Sequence, residues 1–175
     1  MISTAKKQKA AADFVEPDGI VIYTDGSCRK TGIGAYAVVC VIDHKIKYEY
    51  GSYHPNTTSQ RMELNAFLWA LDFIYRHTDK NKTAAIYSDS EYCIKGTTEW
   101  MPNWKLNTWK GSTGAAVKNK DIWIQIDKIY EVLADRISIL WSPGHHGVPG
   151  NERVDKIATA LSANEPVTLK KSDIF

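Results

Sequence analysis

Cysteine is scarce in this 175-residue chain: Cys28, Cys40 and Cys93 are odd in number, and no two of them have C-x-x-C spacing. That argues against a disulfide-stapled secreted scaffold, and the thiols read as reduced side chains of a cytoplasmic protein. His44, His54 and His77 lack zinc spacing as well. Long apolar runs are missing: nothing approaches the ~20 residues of a membrane span. No apolar stretch follows the lysines near the N-terminus, so no secretory signal is expected. Net charge is almost absent, 22 Lys and Arg against 20 Asp and Glu, too little to argue for a polyanionic partner by itself. There is no internal repeat, hence no solenoid. What remains is a balance of 43% hydrophobic and 24% charged residues, which excludes wholesale disorder. The length suits one domain at about 150 residues per domain, with a core that needs no staples.

Residues 1–18 show little periodicity and are expected to form a mobile arm. The mostly β-branched run 20–24 suits a central strand buried on both faces, stopped by Asp25-Gly26-Ser27. Residues 35–42 and 45–51 flank the turn Asp43-His44 as a hairpin. Leu64, Leu68, Leu71 and Tyr75 give a helical stripe, and 84–88 a fourth strand followed by a short helix closed by Gly96. Residues 100–120 look irregular. Ile122, Ile126, Ile129 and Leu133 mark another helix, 137–141 a fifth strand, and Val154, Ile157 and Leu161 a last helix with Asn151 as its cap. This order predicts one mixed α/β sheet covered by helices, in a domain spanning 19–164 with a C-terminal tail over 165–175.

Four acids stand at element boundaries: Asp25 after strand one, Asp89 after strand four, Glu63 near the start of the first long helix, and Asp155 in the first turns of the last. Ligands of an open α/β sheet collect beyond the carboxyl ends of adjacent strands. Parallel pairing of strands one and four would therefore make Asp25 and Asp89 neighbours. Crowded carboxylates raise one another's pKa and stay ionised when a cation neutralises them. Hard oxygen ligands suit Mg²⁺ or Mn²⁺. Taken singly, each acid has a plainer explanation, since Asp before Gly is a common turn and an acid near a helix N-terminus is favoured by the dipole. On spacing alone those explanations stand slightly ahead.

Five segments change the balance. They are Tyr23-Thr24-Asp25-Gly26-Ser27, Thr58-Ser59-Gln60-Arg61-Met62-Glu63-Leu64, Tyr87-Ser88-Asp89-Ser90, Trp100-Met101-Pro102-Asn103-Trp104-Lys105, and the stretch from Gly144-His145-His146 to Asp155. In this order the chain closely resembles ribonuclease H of the type-one class, the bacterial and retroviral kind, across residues 20–163. The resemblance implies an α/β ribonuclease H-like fold with a five-stranded mixed sheet flanked by helices. It also implies a monomeric endoribonuclease that hydrolyses the RNA strand of RNA–DNA hybrids by two-metal-ion catalysis, leaving 5′-phosphate and 3′-hydroxyl ends. By the same match Asp25, Glu63, Asp89 and Asp155 are the metal-binding acids for two Mg²⁺ ions, or Mn²⁺. Asp25 would bridge both ions, with Asp89 and Glu63 on one and Asp155 on the other. His145 matches a loop histidine that transfers a proton and aids product departure, which an imidazole can do near neutral pH.

Residues 100–120 hold three tryptophans with Lys105, Lys110, Lys118 and Lys120. They match a basic handle that holds the DNA strand, lysines meeting phosphate by charge and aromatics meeting sugars and bases. Trp104 is expected at the DNA, while Trp100 is as well explained by packing. Tyr92 matches a contact to the DNA sugar. Thr58 and Asn119 match a pocket for one DNA phosphate, and Gln60 replaces a shorter amide beside it. Asn56 and Glu91 depart from an arginine and a glutamine of relatives, which bears on affinity and sequence preference. His44, His54 and His77 are expected at the surface.

Two other classes compete. A catalytically silent hybrid-binding module is opposed by four intact acids facing phosphate. A DNA nuclease of the same fold is opposed by the handle and the loop histidine. A retroelement fragment is a further alternative, against which Met1 and the near-complete domain point to a free-standing protein, expected to lack an N-terminal hybrid-binding module.

Overall fold

The computed structural model describes residues 14–142 and 148–171. Five strands form one mixed sheet in the order β3-β2-β1-β4-β5. β1 (Ile20–Cys28), β2 (Gly34–Ile42) and β3 (Lys45–His54) pair antiparallel. β4 (Ala84–Ser88) and β5 (Ile137–Trp141) continue the sheet parallel to β1. The helices are α1 (Ser59–His77), α2 (Glu91–Lys95), α3 (Met101–Leu106), α4 (Lys120–Leu133) and α5 (Pro149–Ser162). This is the expected five-stranded mixed sheet with flanking helices. Among the described residues no helix is long and apolar enough to cross a membrane.

Alternation along the central strands feeds two cores. Ile20, Ile22, Val38, Cys40 and Ile86 pack with α1 and α4. Val21, Tyr23, Val39, Val41 and Tyr87 pack with Val154, Ile157 and Ala158 of α5. Because both faces are covered, these strands read as continuous apolar runs. The buried face of α1 is broader than the expected stripe and rotated from it: Phe67, Ala70 and Ile74 are buried, while Tyr75 is 51% exposed.

Several local expectations are corrected. β1 does not stop at Asp25-Gly26-Ser27 but pairs with β2 as far as Cys28. Gly26 serves close approach rather than a turn, since a Cβ there would lie 2.3 Å from the Glu63 backbone N. The last helix begins at Pro149 with Val148 in the cap position, so Asn151 lies buried in its first turn. Part of the region expected to be irregular is helical, α3 following a π-helical turn over Gly96–Trp100. His54 is half-buried, with a covered Nε2 that has no hydrogen-bond partner.

The expected arm and tail are docked where they are described. Phe14 meets Tyr87 edge to face with ring centroids 5.3 Å apart, and the Tyr23 hydroxyl donates to Glu16 at 2.8 Å. Val167 and Leu169 pack on the α5 core.

Gly96 does not close α2. Its backbone is helical (φ −55°, ψ −46°), and a Cβ would lie 2.1 Å from Cη2 of the fully buried Trp123. Gly96→Ala therefore overpacks the seat of the handle and should cost about 1–3 kcal/mol. At this size that lowers Tm by about 2–4 °C per kcal/mol. An unchanged Tm would show that Trp123 moves aside freely.

Candidate active site

The site is set by register. β1 and β4 pair in parallel from Ile20↔Ala84 to Thr24↔Ser88, so Asp25 and Asp89 each follow the last pair and emerge side by side at the strands' carboxyl ends. Glu63 reaches them from α1, whose backbone approaches β1 at Gly26. One carboxylate oxygen from each of Asp25, Glu63 and Asp89 can be chosen so that all three lie within 4.8 Å of one another. Asp155, half-buried on α5, is outside that group of three. His145 lies outside the described residues.

Burial first, then the charges of Asp25 and Asp89, push the Glu63 carboxyl well above its ordinary 4.5, against a backbone hydrogen bond from Gly26. Glu63 Oε2 is covered and has no hydrogen-bond partner. The donor set fits a divalent cation on two counts: its oxygens are hard ligands, and one of them is an orphaned buried acceptor of the kind proteins otherwise satisfy. Cys93, buried beside the acids on α2, has its thiol pushed up by burial and then by the Glu63 charge, so it stays neutral.

The expected nucleic-acid residues fall into two groups. Tyr92, Asn119 and Thr58 belong to one polar network. The Tyr92 hydroxyl donates to the Lys118 carbonyl (3.1 Å) and accepts from Asn119 Nδ2 (3.3 Å) and Trp123 Nε1 (3.0 Å). Asn119 adopts a left-handed backbone (φ 58°) at the start of α4. The Thr58 hydroxyl accepts from the Arg61 N–H at 3.3 Å, capping α1. Gln60 Oε1 is buried without a partner.

The handle residues form the second group. Trp104 packs edge-on against Trp123 at 5.3 Å and tilts against Trp100 at 5.8 Å. Its remaining surface helps line a concavity of about 350 Å³ with Trp100, Asn103, Asn107 and Lys110. Lys105, expected at the DNA, is paired at the surface with Asp127 (3.0 Å) and Glu131 on α4. Lys110, Lys118 and Lys120 make no ion pair among the described residues.

Arg61, within the Thr58–Leu64 motif, carries no signal of its own in the sequence. It donates bidentately to Asp121 at 3.0 and 2.7 Å and reaches Asn119 Oδ1 at 3.4 Å, tying α1 to α4. No local spacing announces a contact across 60 residues.

A five-stranded sheet of this order, with carboxylates gathered at the ends of its parallel strands, defines a ribonuclease H-like domain. Residues 17–163 match the RNase H family. A ribonuclease H of Thermosynechococcus vestitus is 39% identical over 150 residues, covering 85% of this chain and 92% of that protein. Among solved structures, a type 1 RNase H with the type 2 active-site motif superposes with a TM-score of 0.70 at 21% identity, over 93% of this chain and 81% of that one. A foamy viral protease-reverse transcriptase in complex with an RNA/DNA hybrid superposes with a TM-score of 0.74 at 21% identity, over 86% of this chain and 21% of that one. The chain belongs to the RNase H family.

Without a cation the Glu63 charge opposes folding. Its folded pKa lies above the unfolded one, so between 4.5 and the raised value the folded state holds the extra proton and stability falls as pH rises. Glu63→Gln should therefore be more stable than wild type in EDTA, with an advantage that grows from pH 4 to pH 7 and reaches about 1 kcal/mol or more. Added Mg²⁺ should raise the wild-type Tm more than that of the variant. A constant stability difference across that pH range, measured by denaturant unfolding, would contradict the assignment.

Proposed function

We propose that this chain is an endoribonuclease that hydrolyses the RNA strand of RNA–DNA hybrids, with Mg²⁺ or Mn²⁺ held by Asp25, Glu63, Asp89 and Asp155. The observation that carries the reading is the gathering of three carboxylates within 4.8 Å, one with a buried unpartnered oxygen. When bound, a pair of such ions lowers the pKa of an attacking water and stabilises charge on the leaving 3′ oxygen. The acids would act as ligands, not as proton donors, and because water would attack phosphorus as the P–O3′ bond breaks, the products would carry 5′-phosphate and 3′-hydroxyl ends. His145 would move the proton as product departs.

Substrate choice is the work of the handle and the polar network. Lys110, Lys118 and Lys120 would meet DNA-strand phosphates, with Trp104 and Tyr92 against sugars and Thr58, Gln60 and Asn119 about one phosphate. The Thr58 cap uses only the oxygen of its hydroxyl, leaving the proton to donate. A 2′-hydroxyl in a wide minor groove distinguishes the RNA strand. All these residues belong to one chain, which suits a monomer, and the three free cysteines suit the cytoplasm.

Cleavage of a labelled RNA–DNA hybrid with and without Mg²⁺ tests the reading. The hybrid's RNA strand should be cut only with the cation, and single-stranded RNA, duplex RNA and duplex DNA should not be cut. Asp89→Asn removes one charge and one ligand, so it should lose nearly all turnover at saturating Mg²⁺ and keep hybrid binding. Wild-type-like cleavage would remove Asp89 from the site.

The lysines are separable by salt dependence. Replacing Lys110, Lys118 and Lys120 by alanine should flatten the slope of log affinity against log salt by about 2 to 3 units, at roughly 0.7–0.9 per phosphate contact. Lys105→Ala should leave the slope unchanged, because its charge is already matched by Asp127 and Glu131. Binding measured in Ca²⁺ over a salt series checks both. A flattened slope for Lys105→Ala alone would reverse the assignment.

A further inference from the structure

We infer that Glu49 and Arg153, with the chain segment 167–170, form a positioning clamp that orients α5 and thereby Asp155; the inference rests on the reading of Asp155 as a metal ligand. Glu49 lies on β3 opposite Val39, so its side chain faces the α5 side of the sheet, and it is 2% exposed. Its carboxylate accepts from Arg153 Nε at 2.6 Å, from Arg153 Nη2 at 2.7 Å and from the Lys170 N–H at 2.7 Å. Arg153 Nη2 also donates to the Thr168 carbonyl at 2.7 Å. The Glu49 N–H donates to the Lys170 carbonyl at 2.8 Å, closing the loop of contacts. Burial alone pushes the Glu49 carboxyl up, but Arg153 and the Lys170 N–H outweigh it and hold the group below its ordinary range.

Stability alone does not require a charged pair here. A buried ion pair is often matched or bettered by apolar residues of similar volume, and Val167 and Leu169 already pack beside it. What a guanidinium fork supplies is direction, because two parallel hydrogen bonds fix the plane of the side chain. Arg153 and Asp155 are two residues apart on one helix, about 200° around its axis. Locking Arg153 against β3 therefore fixes the rotation of α5 and presents Asp155 on the opposite side. A ligand that turns with its helix loses metal affinity even when the fold survives.

Three full-length variants test this, each measured by Mn²⁺ calorimetry, by Tm in EDTA and by kcat on the hybrid. Asp155→Asn defines the part of Mn²⁺ binding that depends on Asp155. The double variant Glu49→Leu, Arg153→Met removes both charges and should keep a Tm close to wild type. It should nonetheless weaken the Asp155-dependent binding roughly 10-fold or more, the scale seen when partners of a metal ligand are removed, and lower kcat with little change in KM. Arg153→Lys keeps the charge without the fork and should fall between. A folded double variant with wild-type Mn²⁺ affinity would overturn the clamp. If that variant does not fold, wild-type affinity in Arg153→Lys would overturn it equally. Unchanged Mn²⁺ binding in Asp155→Asn would instead strike the reading of Asp155, and the clamp's purpose with it.

Discussion

Like charges held in contact are the constraint on which this structure turns. Three carboxyl groups with one oxygen each within 4.8 Å of the others, and one Glu63 oxygen covered from water, repel each other and lose hydration. Nothing in their own chemistry would bring them together. The parallel pairing of β1 with β4 does so for Asp25 and Asp89, and the seat of α1 on Gly26 does so for Glu63. Two layers of packed core supply the energy that opposes the repulsion. A divalent cation bound among them would offset that repulsion, as hard oxygen ligands allow.

Positive charge is distributed with the same economy. Arg61 joins α1 to α4 through Asp121, Lys105 joins α3 to α4 through Asp127 and Glu131, and Lys95 pairs with Glu91 within α2. These cations hold the handle in place. The handle lysines left outward, Lys110, Lys118 and Lys120, belong to the loop between α3 and α4 and to the first turn of α4. That loop is unusual: Thr108 and Trp109 are consecutive left-handed residues (φ 49° and 61°), an awkward conformation for a β-branched threonine. It is held by the Trp109 N–H to the Trp104 carbonyl at 2.6 Å and the Val117 N–H to the Trp109 carbonyl at 3.1 Å. Aromatic packing fixes the direction of the neighbouring charge.

The sheet, its order of elements and the meeting of Asp25 with Asp89 were legible because they depend on local signals: β-branched runs, a helical stripe and acids at strand ends. Glu63 was legible as a boundary acid, but its meeting with the other two rested on its motif, since the approach depends on Gly26 accommodating the α1 backbone. What could not be read was side-chain direction across long separations. Nothing near Lys105 in the chain announces Asp127, and nothing near Arg61 announces Asp121. Gly96 gives an ordinary helix-stop signal, yet its backbone is helical and its missing Cβ makes room for Trp123. The docking of Val167 and Leu169 was hidden because their alternation with Thr168 and Lys170 runs over too few residues to announce an apolar contact.

The segment that grips Glu49 has one more effect. β3 is the outer strand of the sheet, and such an edge offers unpaired N–H and C=O groups to any extended chain that meets it. Here part of that edge is taken by the chain itself: the Glu49 N–H is bound by the Lys170 carbonyl, and Tyr48 bridges to Lys171 in antiparallel fashion. Two lysines stand where a second molecule would have to add its strand. The segment after α5 thus takes up main-chain groups of the outer strand at Tyr48 and Glu49 and withdraws that stretch of the edge from pairing with another strand.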